Sequence, residues 1–205
     1  SLDTLTSRNA SPAAGTSEAT GLARFAQELG LVIGFVALVF WLAALLSHNL
    51  NDVAWSTTGG PGADAPGTAA RNWAGRLGAR LADGSYFLLG LSVWWAVMAG
   101  VRAWLAGLGR WLRSESLPAA AALNPERVKF WVCFSLLLLA SSALEWSRLY
   151  RFESLLPGHA GGLLGYLAGP ASVKWLGFTG SGLVWIAVCV VSVAVVFGFS
   201  WPQTA

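Results

Sequence analysis

The strongest constraint on this chain is a series of long apolar stretches with almost no charged side chains. Residues 29–47 are almost wholly apolar, and as a helix they cover roughly 28 Å, close to the hydrocarbon thickness of a bilayer. Further spans are predicted over 84–101, 127–146 and 182–200. Charged residues make up 11% of the chain, against about 25% in soluble domains. The sequence therefore predicts an all-α integral membrane protein with four transmembrane helices.

The polar segment between the first two predicted spans contains the pattern of an interfacial helix. Trp73, Leu77 and Leu81 recur at helical spacing, while Arg76 and Arg80 fall on another face. Such a helix buries its apolar face at the membrane surface and keeps its basic face in water.

A second short helix is predicted within residues 154–173, which are uncharged but interrupted by two prolines. The 12 residues between the prolines are too few to cross a bilayer, so the segment either re-enters the membrane or lies at its surface. Gly161, Gly165 and Gly169 fall on one helical face, where they would allow a neighbouring helix to approach closely. A glycine-rich loop with chance spacing is the alternative. No internal repeat is evident.

The chain ends and the loop charges predict the domain layout and orientation. Residues 1–20 are rich in small and polar residues and predict a flexible tail, followed by a membrane domain over 21–201. With four spans, both termini share a side with the loop from Arg102 to Lys129, which has five basic residues in 28. The positive-inside rule therefore favours cytoplasmic termini.

No catalytic, cofactor-binding or metal-binding pattern is found in this segment. The phosphate loop G-x-x-x-x-G-K-[ST] and the H-E-x-x-H and G-x-S-x-G motifs are absent, and His48 and His159 sit in separate loops. The basic residues are too dispersed to predict nucleic-acid binding. Six ionisable residues fall at predicted span ends, where we interpret them as boundary markers that reach toward the headgroups: Glu28, Asp83, Arg102, Lys129, Glu145 and Lys174.

Three motifs follow one another along the loops. The exit from the first span contains Ser47, Asn51-Asp52 and Trp55-Ser56. The approach to the second contains Asn72, Gly75-Arg76, Gly78-Ala79 and Leu81-Ala82-Asp83, and the segment before the last contains residues 161–165 and 176–181. In order and spacing, over residues 22–200, these motifs resemble the N-terminal membrane domain of the FtsK/SpoIIIE family of bacterial DNA translocases. Val53 stands where that family commonly has proline.

The resemblance implies a multi-pass domain of the bacterial inner membrane that has cytoplasmic termini and localises to the division septum. It implies that residues 202–205 begin a linker to a missing hexameric motor, which uses ATP and magnesium to pump DNA. The implied partners are the lipid bilayer, other cell-division membrane proteins and further copies of the chain, as in a hexamer. The implied periplasmic loop motif consists of Asp52, Trp55, Ser56, Asn72, Gly75 and Asp83.

The predicted function is therefore a septal membrane anchor and interaction domain of a DNA translocase, acting in cell division and chromosome segregation, without catalysis in this segment. The alternative is a small transporter or channel subunit in which the glycine-rich residues 158–169 line a pore. A pore lined by backbone carbonyls would leave no charge signature in the spans. Flux measurements in liposomes distinguish the two.

Overall fold

The computed structural model describes residues 13–58, 69–113, 125–149 and 156–198. All regular structure within these ranges is helical: α1 Ala13–Leu46, α2 Gly75–Leu89, α3 Val93–Leu112, α4 Pro125–Arg148 and α5 Gly162–Phe197, with a 3₁₀ turn at Gly90–Ser92. Four helical stretches are long and apolar enough to cross a membrane. The predicted fold class, four transmembrane helices with short helices in the loops, is confirmed.

The ends of the chain differ in part from the prediction. The first helix begins at Ala13, inside the segment 1–20 that was predicted to be a tail. Residues 1–12 and the predicted linker at 202–205 lie outside the described residues, so the structure adds nothing about them.

Two of the long helical stretches are each interrupted by one glycine. The stretches of 38 and 36 residues would measure about 55 Å as straight helices, nearly twice the hydrocarbon thickness. Gly90 (φ 59°, ψ −144°) and Gly177 (φ 70°, ψ 172°) interrupt them with backbone angles that glycine adopts far more readily than other residues. The first break lies inside the predicted span 84–101. Each break leaves a helix of about 20 residues, which matches the bilayer.

The break at Gly177 divides α5 into α5a (residues 162–176) and α5b (residues 178–197). The indole nitrogen of Trp185 donates a hydrogen bond to the Ser172 hydroxyl at 3.0 Å. In a straight helix these 13 residues would separate the two Cα atoms by about 20 Å, which is beyond the reach of the two side chains. The chain therefore turns sharply between the two parts of α5.

The helix α2 lies across the carboxyl end of α1. The Asn72 side chain donates to the carbonyl of Ala44, and the Tyr86 hydroxyl donates to the adjacent carbonyl of Leu45. The two donors are 14 residues apart, and the helical part between them, Gly75 to Tyr86, is about 17 Å long. A helix running alongside α1 could bring only one of its ends to this point, so α2 crosses the end of α1, as expected for an interfacial helix.

The helix α5a packs on the carboxyl-terminal part of α4. A Cβ at Gly161 or Gly165 would overlap the Ser142 carbonyl oxygen, while at the far end Arg148 donates to the carbonyl of Phe178. These contacts fall within the last seven residues of α4, Ser142 to Arg148. The part of residues 154–173 that the structure describes packs on α4 between Ser142 and the carboxyl end of that helix.

The spanning helices pack as antiparallel neighbours in sequence order. Along α1 and α3, Gly100 faces Leu38 and Gly107 faces Leu31, so the missing side chains let the two helices approach. The Trp104 indole also donates to the Leu31 carbonyl at 2.9 Å. The buried apolar core lies where α1, α2 and α3 meet, around Ala44, Leu45, Ala82, Tyr86, Val93 and Val97.

The fold contains an internal repeat, so the expectation that there is none was wrong. Each repeat, here called a unit, consists of a span, a loop, a 15-residue helix, a glycine break and a second span. Residues 75–90 and 162–177 align without gaps and share six identities: Gly75/Gly162, Leu77/Leu164, Gly78/Gly165, Ser85/Ser172, Leu89/Leu176 and Gly90/Gly177. The identities are confined to 16 residues, and the loop before them is longer in the first unit than in the second. A comparison of hydropathy along the two halves of the chain therefore does not detect the repeat.

Backbone geometry supports the repeat independently of the identities. The amide of Gly75 donates to Asn72 O, and the amide of the equivalent Gly162 donates to His159 O, both at 2.9 Å. Both of these glycines have positive φ, 66° and 60°. The two short helices therefore begin with the same turn and end with the same kind of break.

Candidate interaction site

A buried polar cluster fixes the first loop to the ends of α1 and α2. The Asp52 carboxylate accepts hydrogen bonds from the backbone amides of Arg71 and Asn72 at 2.8 and 2.9 Å. Asn72 is 3% exposed, and its amide nitrogen donates to the Ala44 carbonyl at 2.8 Å. Because both side chains are buried and bonded, removing either would leave unpaired polar groups.

Asp83 makes the second connection between the loop and α2. It is fully buried and accepts hydrogen bonds from the backbone amide and the hydroxyl of Ser56, at 2.8 and 2.5 Å. The interpretation of Asp83 as an exposed boundary marker was wrong, because the loop folds back over α2 and covers it.

The structure brings five of the six predicted loop-motif residues into one network and leaves the sixth outside it. Gly75 supplies the positive φ that lets the chain turn into α2 beside Asn72. Trp55 instead points away and is 85% exposed, with Trp73 and Leu77 also exposed on the same loop and helix. The described part of the loop and the start of α2 thus present large apolar side chains at the outer edge of the network.

His48 lies beside this network with a buried imidazole. Its ring centroid is 5.2 Å from that of Tyr86, and neither ring nitrogen has a hydrogen-bond partner among the residues that the structure describes. Burial lowers the pKa of His48, although the nearby carboxylates of Asp83 and Asp52 oppose the shift. The folded domain therefore holds this imidazole neutral.

We expect the domain to lose stability as the pH falls through about 6.5, the pKa of an unfolded histidine. The unfolded chain then binds a proton that the folded chain resists, which favours unfolding. Thermal unfolding in detergent at pH 7.5 and 5.5 measures this, and His48→Phe should reduce the difference between the two temperatures. An unchanged difference in the variant would assign the pH effect to other groups.

The predicted glycine face lies against α4. Gly161 and Gly165 meet the Ser142 carbonyl, and a Cβ at Gly169 would overlap the indole of Trp146. All three glycines are buried. Since α4 occupies this face, these glycines do not face a lumen, as the pore alternative would require.

Gly162, which lies off that face, is equally constrained. It has φ 60°, and an added Cβ would lie 2.6 Å from the backbone nitrogen of Gly90 and 2.7 Å from the carbonyl of Leu88. The two halves of the chain therefore meet backbone to backbone at Gly90 and Gly162. We call this contact the glycine junction.

Glu145 closes the glycine junction from the α4 side. It is 5% exposed and accepts hydrogen bonds from the Leu91 amide at 2.8 Å and from the Ser92 hydroxyl. The Ser142 hydroxyl also donates to the Leu89 carbonyl. The backbone carbonyl before the break and the backbone amide after it therefore both have hydrogen-bond partners on α4. A carboxylate at the start of α3 is also favoured by the helix dipole.

The interpretation of Glu145 as a boundary marker was therefore wrong. The signal that could have found it is a carboxylate three residues after a Ser141-Ser142 pair in an apolar helix, with a Gly-Leu-Ser break elsewhere. A hydropathy scan treats each residue alone and cannot pair the two segments.

The remaining charged residues at predicted span ends differ in their environments. Lys129 and Lys174 are exposed. Arg102 donates to the Phe197 carbonyl at the end of α5, and Glu28 accepts a hydrogen bond from the Trp111 indole at 3.3 Å. These contacts connect α3 to the end of α5 and to the middle of α1. Within residues 13–58, 69–113, 125–149 and 156–198, no group of three or more metal-ligating side chains is close enough to hold a metal.

The fold and these contacts define a polytopic membrane domain with two units, each broken at a glycine, and a hydrogen-bonded loop network that joins α1 to α2. The chain belongs to the family described as the 4TM region of DNA translocase FtsK/SpoIIIE, whose family model matches residues 23–205. It is 34% identical over 198 residues to the DNA translocase FtsK 2 of Ralstonia nicotianae, covering 95% of this chain and 24% of that protein.

Two further relatives extend the comparison. The DNA translocase FtsK of Pseudomonas syringae pv. syringae is 31% identical, and FtsK 1 of Neisseria meningitidis serogroup A is 27% identical. Each match covers 84% of this chain and 20% of the relative. The chain thus spans only a fifth to a quarter of these relatives. No solved structure matches it.

Proposed function

We propose that this chain is the septal membrane anchor and interaction domain of a DNA translocase in cell division and chromosome segregation. The observation that carries the proposal is the family match over residues 23–205, which covers all four spans and the loop network between them. The relatives are DNA translocases in which this region is a minor part. The ATP- and magnesium-dependent motor is proposed to lie in the rest of such a protein, with no catalysis and no nucleic-acid binding in this segment.

The partners proposed for the domain are the bilayer, other division membrane proteins and further copies of itself, as in a hexamer. The loop network supports a protein-binding role, because it holds the Trp55 side chain exposed beside a buried, hydrogen-bonded base. Exposed aromatic side chains on a fixed scaffold are typical anchors of interfaces.

Septal recruitment tests the proposal directly. The chain, fused to a fluorescent protein at its carboxyl end, should concentrate at the division site of dividing cells. Trp55→Ala should weaken that enrichment if the loop binds a partner, whereas Phe25→Ala, which removes an exposed aromatic side chain at the other end of α1, should not. An even distribution of the unmodified fusion along the envelope would contradict the proposed role.

The proposed orientation places both termini in the cytoplasm and the loop network in the periplasm. In a cysteine-free background, a cysteine at Thr58 should react with a membrane-impermeant thiol reagent in intact cells. A cysteine at Arg113, beyond the opposite end of α3, should react only after the membrane is opened. Both positions are exposed. The reverse pattern would refute the orientation.

A further inference from the structure

Each unit of the repeat has two glycines with positive φ at equivalent places. The leading glycine begins the short helix (Gly75 in the first unit, Gly162 in the second), and the trailing glycine ends it (Gly90 and Gly177). The glycine junction joins the leading glycine of the second unit to the trailing glycine of the first. An added Cβ at Gly90 would lie 2.7 Å from the Gly161 Cα, so only glycine allows this contact.

The other two glycines of the same kind are left open. An added Cβ at Gly75 or at Gly177 would meet no other atom within 4 Å in the described part of the chain. Their φ angles, 66° and 70°, are close to those of the glycines in the junction. In the described part of the chain, the leading glycine of the first unit and the trailing glycine of the second are therefore uncovered, whereas their equivalents form a contact inside the molecule.

The side chains beside the two uncovered glycines are more exposed than their equivalents at the glycine junction. We expect this difference if the uncovered ends are surfaces that another molecule contacts. Trp73 is 76% exposed, whereas the equivalent Ala160 is 3% exposed. Phe178 is 52% exposed, with the Arg148 guanidinium 3.8 Å from its ring centroid, whereas the equivalent Leu91 is partly buried beside Glu145. Large apolar side chains thus flank both free ends.

We propose that copies of this chain assemble head to tail, with the leading end at Gly75 of one copy seated on the trailing end at Gly177 of the next. Both units run in the same direction across the membrane, so the operation that relates them is a rotation about the membrane normal. A heterologous contact of this kind closes into a ring when the rotation permits. This contact specifies the surface through which the oligomer of the proposed function forms. It is inferred from the internal repeat and does not depend on the septal role.

Pairs of cysteines test this contact in native membranes. In the internal junction, Gly161 and Leu88 contribute the neighbouring backbone; their equivalents are Ala74 and Trp175. In a cysteine-free background, Ala74→Cys with Trp175→Cys should give a ladder of disulfide-linked multimers on mild oxidation. Either substitution alone should give only monomer, because a head-to-tail contact never brings equal positions together.

The matched control pairs Trp175→Cys with Trp55→Cys, since both tryptophans are 85% exposed. Equal ladders from this control would show random collision and overturn the proposal, as would the absence of any ladder from the test pair. Cross-linking is read in isolated membranes, so failure of septal recruitment leaves this result unaffected.

A second measurement avoids cysteines. In native mass spectrometry, Phe178→Ala should shift the oligomer toward monomer by at least tenfold in population. Leu183→Ala, which removes a leucine that is 65% exposed one turn further on, should leave the distribution unchanged. A wild-type chain that is monomeric under all mild detergent conditions would contradict the proposal.

Discussion

Replacing Gly165 with leucine should destabilise the domain by about 3 kcal/mol, the upper range for overpacking a tight contact. A Cβ at this position would overlap the Ser142 carbonyl oxygen, and its next neighbour would be the Ser142 carbonyl carbon at 3.1 Å. Both are backbone atoms, so no side-chain rotation can make room. Lipid supplies little hydrophobic drive between helices, so the close approach of α5a to α4 is what holds the pair. Thermal unfolding in detergent measures the loss.

The matched control is Gly30→Leu. Gly30 lies in α1, is exposed, and would place a Cβ with no other atom within 4 Å. Gly162 cannot serve as a tolerant control despite lying off the glycine face, because the glycine junction holds it. Equal unfolding temperatures for Gly165→Leu and Gly30→Leu would show that the glycines only permit loop flexibility.

Replacing Glu145 with leucine should cost about 3 kcal/mol, because it leaves the Leu91 amide and the Ser92 hydroxyl unpaired in a buried site. Glutamine retains one oxygen that can accept one of these bonds, so Glu145→Gln should lose roughly half as much. Thermal unfolding of both variants in detergent gives the comparison. A leucine variant as stable as the wild type would mean that water or lipid groups satisfy the break, and that Glu145 does not hold the two units together.

The positions of the spans follow from the sequence because lipid acts as a uniform apolar solvent. An uncharged run such as residues 29–47 must be buried in the bilayer whatever its neighbours do, so composition alone predicts it. The same holds for the glycine face, since the spacing of Gly161, Gly165 and Gly169 is a local helical property. Neither prediction requires knowledge of which helix packs where.

The helix breaks and the buried carboxylates could not be predicted in this way. Glu145 and Asp83 resemble charges at span ends until the distant segments that cover them are known, Leu91-Ser92 and Ser56 respectively. The break at Gly90 likewise depends on a partner 55 residues away, because it is the bonded Glu145 that makes an open helix end tolerable inside the domain. These are pairings across the fold, which a single sequence does not encode locally.

The exposed tryptophans illustrate a similar limit. The family resemblance implies that Trp55 belongs to the loop motif, yet the structure leaves it outside the hydrogen-bond network and 85% exposed. A motif residue therefore either holds the loop in place or is presented on its surface. The three-dimensional structure is needed to tell which of these roles a residue has.

The chain consists of two units, each bent at a glycine, and both the repeat and the assembly follow from these bends. Spin labels at Leu167 and Val190 test the second bend, since both side chains are exposed on either side of Gly177. Pulsed electron paramagnetic resonance should give a distance of roughly 20 Å between the labels in reconstituted bilayers, because the Ser172–Trp185 hydrogen bond requires an acute angle. A distance of roughly 35 Å, that of a continuous helix, would contradict the bend, the repeat and the assembly inferred from it.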